Sequence, residues 1–281
     1  MIAGPRSRRV TVAGVRYALL VGAAVVLALP FGYMVSTSLK AHTLLLEYPP
    51  RLIPKSPTLD NYAQAWGANN FGRYFLNSAS VAIATTVGTV LLASMMAYGF
   101  ARFRFPGKGV LFGTVVVGLT IPTMLLIIPQ FLLAKNLGLL DSLPGLVPFY
   151  VGTQIAFSTF LLRAFFEQIP MELDEAMIID GAGAWRRYWN LAIPLSKPAL
   201  ATVAIFTFLG SWDEFVWALT VINDVSKRTL PIGIALFQGQ HGTSWGLVFA
   251  ASVIAVVPVI AVYVTFQRQL VAGLTNGALK S

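Results

Sequence analysis

The sequence predicts an all-α membrane protein with six transmembrane helices, and three observations support this. Of the 281 residues, 56% are apolar and only 11% are charged, whereas about a quarter of a soluble domain is charged. The mean hydropathy is +0.72, and a soluble core of this size could not cover so many apolar side chains. Long uncharged stretches also divide the chain, each close to or above the roughly 20 residues that cross a bilayer. They are apolar on all sides, which excludes the alternating strands of a β-barrel.

Six spans follow in order along the chain. The apolar stretches predict helices at about 15–38, 75–101, 109–133, 143–165, 198–221 and 245–267, and the fifth of these carries Asp213 and Glu214 near one end. The last stretch runs from 229 to 267, which is too long for one span, so its polar part near Gln238 to Ser244 is predicted to be a loop. Pro122 and Pro129 remove backbone hydrogen bonds in the third span, and they predict either a fixed kink or a bend that moves.

The positions of Lys and Arg predict that both termini are cytoplasmic. With that orientation, thirteen of the 20 Lys and Arg residues lie in cytoplasmic segments and seven lie outside. The net charge of +9 is therefore mainly a signal of topology and does not point to nucleic acid. Three arginines precede the first apolar run, but that run is longer than the core of a secretory signal and lacks an A-x-A cleavage site. The first span is therefore predicted to stay in the protein.

The segments between spans differ in character. A proline-rich external cap is expected over 40–73, with one short helix near Asp60 to Trp66. An external loop is expected over 223–244 and a cytoplasmic tail over 268–281.

One cytoplasmic segment, residues 167–197 (the acidic loop), carries five of the chain's eleven acids. Pro170 and the acids after it predict a helix start, because the positive end of a helix favours acids. Gly181 predicts its end, and a second short helix is expected over about 184–192 before Pro194. The pattern fits a solvated or membrane-surface hairpin, or an element that docks into a partner. The acidic face favours a protein partner, since anionic headgroups would repel it.

The acidic loop resembles the EAA loop of permease subunits of binding-protein-dependent ABC importers. The resemblance lies in Glu175-Ala176-Met177, in Asp180-Gly181-Ala182 and in Ile193-Pro194-Leu195. The rest of the chain is most similar to the carbohydrate-type branch, the maltose-type second permease. Ser211-Trp212-Asp213-Glu214-Phe215 and the run that begins at Leu270 carry this similarity. Met177 and Asp213 depart from the family, which usually has Ala and commonly Asn at these positions.

This resemblance implies a type I importer permease in the inner membrane of a bacterium, where membrane lipid surrounds it. Its implied partners are a second permease, two ATPase subunits and an extracytoplasmic sugar-binding protein. The implied substrate is a sugar or related polyol, and a phosphorylated polyol such as glycerol phosphate fits as well. The acidic loop would seat in a groove of an ATPase subunit. The residues that the resemblance assigns to this coupling are Glu172, Glu175, Ala176, Asp180, Gly181, Ala182 and Pro194.

The resemblance also implies contacts for two other segments. The external loop would enter the sugar cleft of the binding protein through Gln238, Gly239, Gln240, His241 and Gly242. The C-terminal tail, in which Gly273, Thr275 and Gly277 permit an extended chain, would reach the ATPase dimer, and an unstructured terminus is the alternative.

The sequence offers no nucleotide-binding motif of its own. Gly107-Lys108 is followed by Gly109 where a phosphate loop needs Ser or Thr, and Arg102 stands where its first glycine belongs. ATP and Mg are therefore expected on the ATPase partners, and the chain is not expected to be an enzyme. No catalytic constellation or metal-ligand spacing is evident, since the two histidines lie far apart in the sequence.

Asp213 and Glu214 lie inside the fifth span, where an acid is by default a functional candidate. With Trp212 they are expected either to line the substrate path or to stabilise helix packing. An ion-coupled secondary carrier that uses these two acids is the alternative function.

Overall fold

The computed structural model describes residues 5–41, 51, 53–68, 70–239 and 242–278, with side chains described between 13 and 269. The helices within these ranges are α1 (Pro5–Ser38), α2 (Asp60–Gly67), α3 (Phe71–Arg102), α4 (Lys108–Gly118), α5 (Ile127–Asn136), α6 (Leu143–Phe166), α7 (Met171–Ile179), α8 (Ala184–Arg187), α9 (Ile193–Leu195), α10 (Lys197–Trp212), α11 (Val216–Val221), α12 (Leu230–Ala235) and α13 (Trp245–Ala278). A hairpin pairs β1 (Gln238–Gly239) with β2 (Gly242–Thr243). The chain divides into two compact units, residues 1–69 with 234–255 and residues 70–233 with 256–281.

The described helices account for four to six membrane spans. Four single helices in the described ranges are long and apolar enough to cross a bilayer: Ala13–Ser38, Phe71–Arg102, Leu143–Phe166 and Trp245–Gln269. Two pairs of helices satisfy the same criteria only when each pair is taken as one bent span: Lys108–Gly118 with Thr123–Asn136, bent by 96°, and Ala184–Leu195 with Lys197–Trp212, bent by 79°. The all-α membrane class predicted from the sequence is confirmed.

The third span breaks at Pro122. The α-helix ends at Gly118, Pro122 has an extended backbone, and a 3₁₀ turn over Thr123–Leu126 leads into α5. Pro122 has no N–H to continue the helix, and its ring disfavours the helical conformation of the residue before it. Pro129 lies in the first turn of α5, where a backbone N–H has no helical partner to lose. The bend at Pro122 is therefore much sharper than a simple proline kink.

The fifth span also differs from the predicted continuous helix over 198–221. Helix α10 ends at Trp212, and a new helix, α11, starts at Val216. The side chain of Glu214 accepts hydrogen bonds from the backbone N–H groups of Trp217 and Ala218. A carboxylate that satisfies these N–H groups favours a helix start at this point, and hydrophobic periodicity alone could not reveal that.

Helices α3, α6 and α10 form the centre of the larger unit, and α3 and α6 contribute buried residues to two hydrophobic clusters. One cluster surrounds Leu146, Tyr150 and Trp217, and the other surrounds Leu162 and Phe166. The hydroxyl of Ser142 accepts the N–H of Gly145 at the start of α6. A Cβ on Gly145 would lie 2.2 Å from the carbonyl oxygen of Leu139, so only glycine permits this close entry into the helix.

In the smaller unit, the chain after α1 is tied to α2. Asn61 is 2% exposed, and its side-chain amide donates to the carbonyl oxygens of Ser38 and Lys40, both at 2.8 Å. The hydroxyls of Ser38 and Tyr62 are 2.6 Å apart. The short helix expected near Asp60 is thus present and fixes the residues that follow the first span.

The C-terminal helix begins at Trp245, where the sequence predicted a span to start, and runs to Ala278. The residues assigned to a tail are therefore helical through Ala278, so an extended tail over 268–278 is wrong. Each added helical residue gains a backbone hydrogen bond once a helix has formed, and Gly273 and Gly277 are not enough to end it.

An ionic cluster joins the loop before α6 to the loop after α11. Asp141 Oδ1 accepts the backbone N–H groups of Asn223 and Asp224 at 3.0 and 2.9 Å. The ammonium group of Lys227 lies 3.3 Å from Asp141 Oδ2 and 3.4 Å from Asp224 Oδ2. The backbone N–H of Asp224, with smaller contributions from Asn223 and Lys227, lowers the pKa of Asp141. The pKa of Lys227 is raised, chiefly by its hydrogen bond to Asp141.

The Asp141→Asn variant tests this cluster, because it removes the charge and leaves a side chain that tolerates the positive φ of 52° at this position. A carboxyl group whose pKa is lower in the folded than in the unfolded protein stabilises the fold at neutral pH. This stabilisation is lost as the pH falls through the lowered pKa. We expect a lower melting temperature than wild type between about pH 5 and 9, with a difference that shrinks below about pH 4. Thermal unfolding in detergent over a pH series measures it, and a difference that stays constant into acid would contradict the assignment.

Candidate functional site

The acidic loop folds as two helical segments joined at a glycine. Helix α7 starts directly after Pro170, with Glu172 and Asp174 in its first turn. Gly181 follows the helix with φ of +75°. The N–H groups of Gly181 and Ala182 return to the carbonyl oxygens of Ile178 and Met177, which is the Schellman arrangement. This predicted glycine turn satisfies the helix end without help from outside the loop.

The second helical segment is more irregular than expected. Helix α8 continues as a π-helical turn over Tyr188–Ala192 and then as α9, which contains Pro194. The bend before α10 lies at Ser196, between Pro194 and Pro198. A π turn shifts the register of the side chains that follow it, and no simple periodicity of 3.6 predicts it.

Most of the residues assigned to coupling lie on the exposed side of the loop. Glu172, Glu175, Ala176, Asp180, Gly181 and Pro194 are exposed, and Ala182 is buried. Large apolar side chains are exposed beside them: Ile179 is 86% exposed and Trp185 is 61% exposed. An apolar surface rimmed by charged groups is typical of a protein interaction site.

A buried ion pair inside the acidic loop was missed by sequence reasoning. Asp174 is 3% exposed, and its Oδ2 lies 3.1 Å from Arg187 Nη1. This contact ties the first turn of α7 to the end of α8. The sequence does show opposite charges on the two arms of a helical hairpin that turns at Gly181, but nothing in the pattern distinguished Asp174 from the exposed acids around it.

The acidic loop is also anchored to the end of α3, through residues that the sequence did not single out. Arg102 donates to the carbonyl oxygen of Ile169 at 2.7 Å. The buried hydroxyls of Ser94 and Tyr188 are 2.7 Å apart, and the rings of Tyr98 and Tyr188 are in contact, with centroids 5.3 Å apart. A displacement of the loop would therefore be transmitted to α3.

The three candidates for the substrate path have different surroundings. Trp212 is 2% exposed and packs against Phe75 and Phe208. Asp213 is exposed after the last turn of α10, and Glu214 is half-buried. In this arrangement Trp212 belongs to the core, while the two acids lie where they can meet solvent. Their role in a substrate path stays a prediction.

The external loop forms the small hairpin, with Gln238 opposite Thr243 and Gly239 opposite Gly242. Gln240 and His241, predicted to contact a binding protein, lie outside the described residues. In the described part of the chain, no group of three or more His, Cys, Asp or Glu residues is arranged to hold a metal ion.

The apolar spans and the anchored loop define a multi-pass membrane protein of the transport class. Residues 89–276 match the family described as binding-protein-dependent transport system inner membrane component. Because the match covers more than half of the chain, the chain belongs to this family, as the resemblance implied.

Known relatives agree with this assignment over nearly the full length. A diacetylchitobiose uptake system permease protein of Streptomyces coelicolor is 37% identical over 270 residues, which is 95% of this chain and 89% of that protein. A trehalose/maltose transport system permease protein of Thermococcus litoralis is 36% identical over 272 residues, which is 94% of this chain and 97% of that protein.

A solved structure confirms the importer permease fold. A chain of a bacterial ABC transporter involved in import of the acidic polysaccharide alginate superposes with a TM-score of 0.82 at 25% identity. The superposition covers 96% of this chain and 100% of that chain.

Removing one partner of the buried ion pair should destabilise the protein. Asp174→Ala leaves the Arg187 charge without its partner, and we expect a loss of about 3 kcal/mol in the free energy of unfolding. Glu172→Ala changes an exposed acid on the same helix that has no ion pair among the described residues. It is the control and should change little. Thermal unfolding in detergent measures both.

The double variant Asp174→Leu with Arg187→Met sharpens this test. It removes both charges and keeps apolar volume, so it should unfold closer to wild type than either single variant does. If the double variant is as unstable as the sum of the singles, the two side chains do not act as a pair.

Proposed function

We propose that this chain is the membrane-spanning subunit of an ATP-driven importer for a sugar or related polyol. A second permease completes the translocation path, two ATPase subunits bind ATP and Mg, and an extracytoplasmic binding protein delivers the substrate. The observation that supports this most directly is the acidic loop, which presents exposed acids and apolar side chains. A buried ion pair holds the loop together, and its contacts with Arg102 and Ser94 hold it to α3.

The acidic loop is the element through which ATPase movement reaches the spans. Glu175 faces a basic groove on the ATPase, and exposed apolar side chains such as Ile179 fill that groove. Closing of the ATPases displaces the loop, and the contacts of Arg102 and Tyr188 carry the displacement to α3. Alternating access then results from a shift between two packings of the helices, which the bound nucleotide biases.

The substrate class rests on the relatives, which are named for uptake of diacetylchitobiose and of trehalose or maltose.

The membrane orientation has both termini in the cytoplasm, with the acidic loop on the same side, as the distribution of Lys and Arg indicates. The alternative, an ion-coupled carrier, depended on Glu214 as an uncommitted acid within a span. Glu214 instead accepts three hydrogen bonds: two from backbone N–H groups at the start of α11 and one from the hydroxyl of Tyr150.

Charge reversal at Glu175 tests the docking role. Glu175→Lys should lower the amount of ATPase that co-purifies with the tagged chain, because a cation would then face a basic groove. Repulsion of this kind costs several kcal/mol, which corresponds to more than about a hundredfold in affinity. Asp60→Lys reverses an exposed acid on the predicted external side and is the matched control. Wild-type ATPase recovery from Glu175→Lys would refute the role of Glu175.

Cysteine labelling tests the orientation, and the natural chain contains no cysteine. Ile179 in the acidic loop is 86% exposed and Ile53 in the external cap is 82% exposed. In intact cells that make this chain without its ATPase partners, a membrane-impermeant maleimide should label Ile53→Cys, and it should label Ile179→Cys only after the membrane is opened. The reverse pattern would place the acidic loop outside and exclude its contact with a cytoplasmic ATPase.

A further inference from the structure

A cavity of about 130 Å³ lies between the broken third span, α6 and α11. Its walls include the side chains of Gln130, Phe149, Thr153, Glu214 and Trp217. Thr153 is exposed and Gln130 is half-buried, so the cavity is open on one side. Its lining residues lie outside the acidic loop, and nothing in the coupling role requires it.

The carboxylate of Glu214 is fixed at the edge of this cavity. Its Oε2 accepts the hydroxyl of Tyr150 at 2.5 Å and the N–H of Ala218 at 3.0 Å, and its Oε1 accepts the N–H of Trp217 at 2.7 Å. A carboxylate offers about four acceptor positions, so one position on Oε1 is still open. A rigid, half-buried acceptor of this kind suits a ligand hydroxyl.

Two further polar groups share the cavity wall. The side-chain amide of Gln130 has no hydrogen-bond partner among the described residues and offers both donors and an acceptor. The hydroxyl of Thr153 donates to the carbonyl oxygen of Tyr150 at 3.0 Å, which leaves its oxygen able to accept.

Aromatic rings supply the apolar part of the wall. Phe149 and Trp217 pack with ring centroids 4.8 Å apart. The indole N–H of Trp217 is buried without a partner in the described structure, which is an unusual condition for a donor. A few placed polar groups on an aromatic and apolar wall are the usual composition of a small-molecule site.

The broken span gives an independent reason to connect this cavity with the transport path. Thr123 and Met124, in the 3₁₀ turn after the 96° bend, line the cavity. Irregular backbone at membrane depth is tolerated where it is buried in protein or lines a cavity, and broken helices commonly lie next to substrate in transporters.

We propose that this cavity is a contact site for one ring of an uncharged sugar during its passage. Gln130 and Glu214 bind ring hydroxyls, and Phe149 and Trp217 cover an apolar face of the ring. The cavity is smaller than the roughly 300–1,000 Å³ of a complete ligand site, so another part of the importer completes it. The carboxylates of Glu214 and neighbouring Asp213 repel acidic or phosphorylated sugars. This inference rests on the proposed import of a sugar.

Protection of an introduced cysteine tests the site. Thr153→Cys places a single thiol in the cavity, and Thr220→Cys, an exposed threonine on α11 that does not line the cavity, is the control. The full complex with its binding protein and ATP is labelled with a maleimide in the presence of maltose, trehalose, diacetylchitobiose or the acidic disaccharide digalacturonate. Uptake of the same four sugars is measured in proteoliposomes.

We expect a neutral disaccharide that is imported to slow labelling of the Thr153→Cys variant but not of the Thr220→Cys variant, by about tenfold at ten times its dissociation constant. Adding Gln130→Ala should abolish the protection without loss of folding, because Gln130 has no described partner to lose. Adding Gln64→Ala, at an exposed glutamine on α2, should keep it. Glu214→Gln should also abolish protection. If that variant fails to fold, the result for Gln130→Ala still decides whether the cavity contacts the sugar.

The outcomes separate this site from the proposed function. Import of a neutral sugar without protection of the thiol in the Thr153→Cys variant overturns the site and leaves the importer function standing. Equal protection by digalacturonate overturns the selection against acidic sugars. A chain that recruits no ATPase, or a complex that imports none of these sugars, overturns the proposed function and this site with it.

Discussion

The hydrocarbon layer offers no hydrogen bonds to a polypeptide, and this constraint determines most of what the chain does. Backbone groups at membrane depth must find partners within the protein, so the spans are helices and every interruption needs local compensation. Two of the interruptions in the larger unit show different solutions. At Pro122 a 3₁₀ turn replaces the lost helical bonds, and after Trp212 the carboxylate of Glu214 takes the N–H groups at the start of α11.

Hydrophobicity predicted the existence and order of the spans well, because long apolar stretches have few alternatives in a bilayer. The start of α13 at Trp245 and the short helix at Asp60 could also be predicted, because both are visible in the residues of their own segments. The sharpness of the break at Pro122 and the early end of α10 were not, because hydrophobic periodicity gives neither the bend angle at a proline nor the hydrogen bonds by which Glu214 starts α11. The helical tail shows a further limit, because glycine lowers helix propensity without forbidding a helix.

The acidic loop was recognisable from Glu175, Asp180, Gly181 and Pro194, which carry both the helix signals and the family resemblance. The sequence could not distinguish the acid that holds the loop together from the acids that face outward. Asp174 is surrounded in sequence by acids of the same type, and only the fold places it against Arg187. Anchors such as the contact of Tyr188 with Ser94 join residues 94 positions apart, which a single sequence does not reveal.

The closed end of α7 has a consequence for the kinetics of assembly. Because the N–H groups of Gly181 and Ala182 already satisfy the last carbonyl oxygens of the helix, the loop needs no partner to hold its shape. A preorganised element avoids the conformational entropy loss that a folding segment incurs on binding. The encounter with an ATPase subunit would then resemble rigid-body docking, with a rate set by diffusion and charge and not by a folding step.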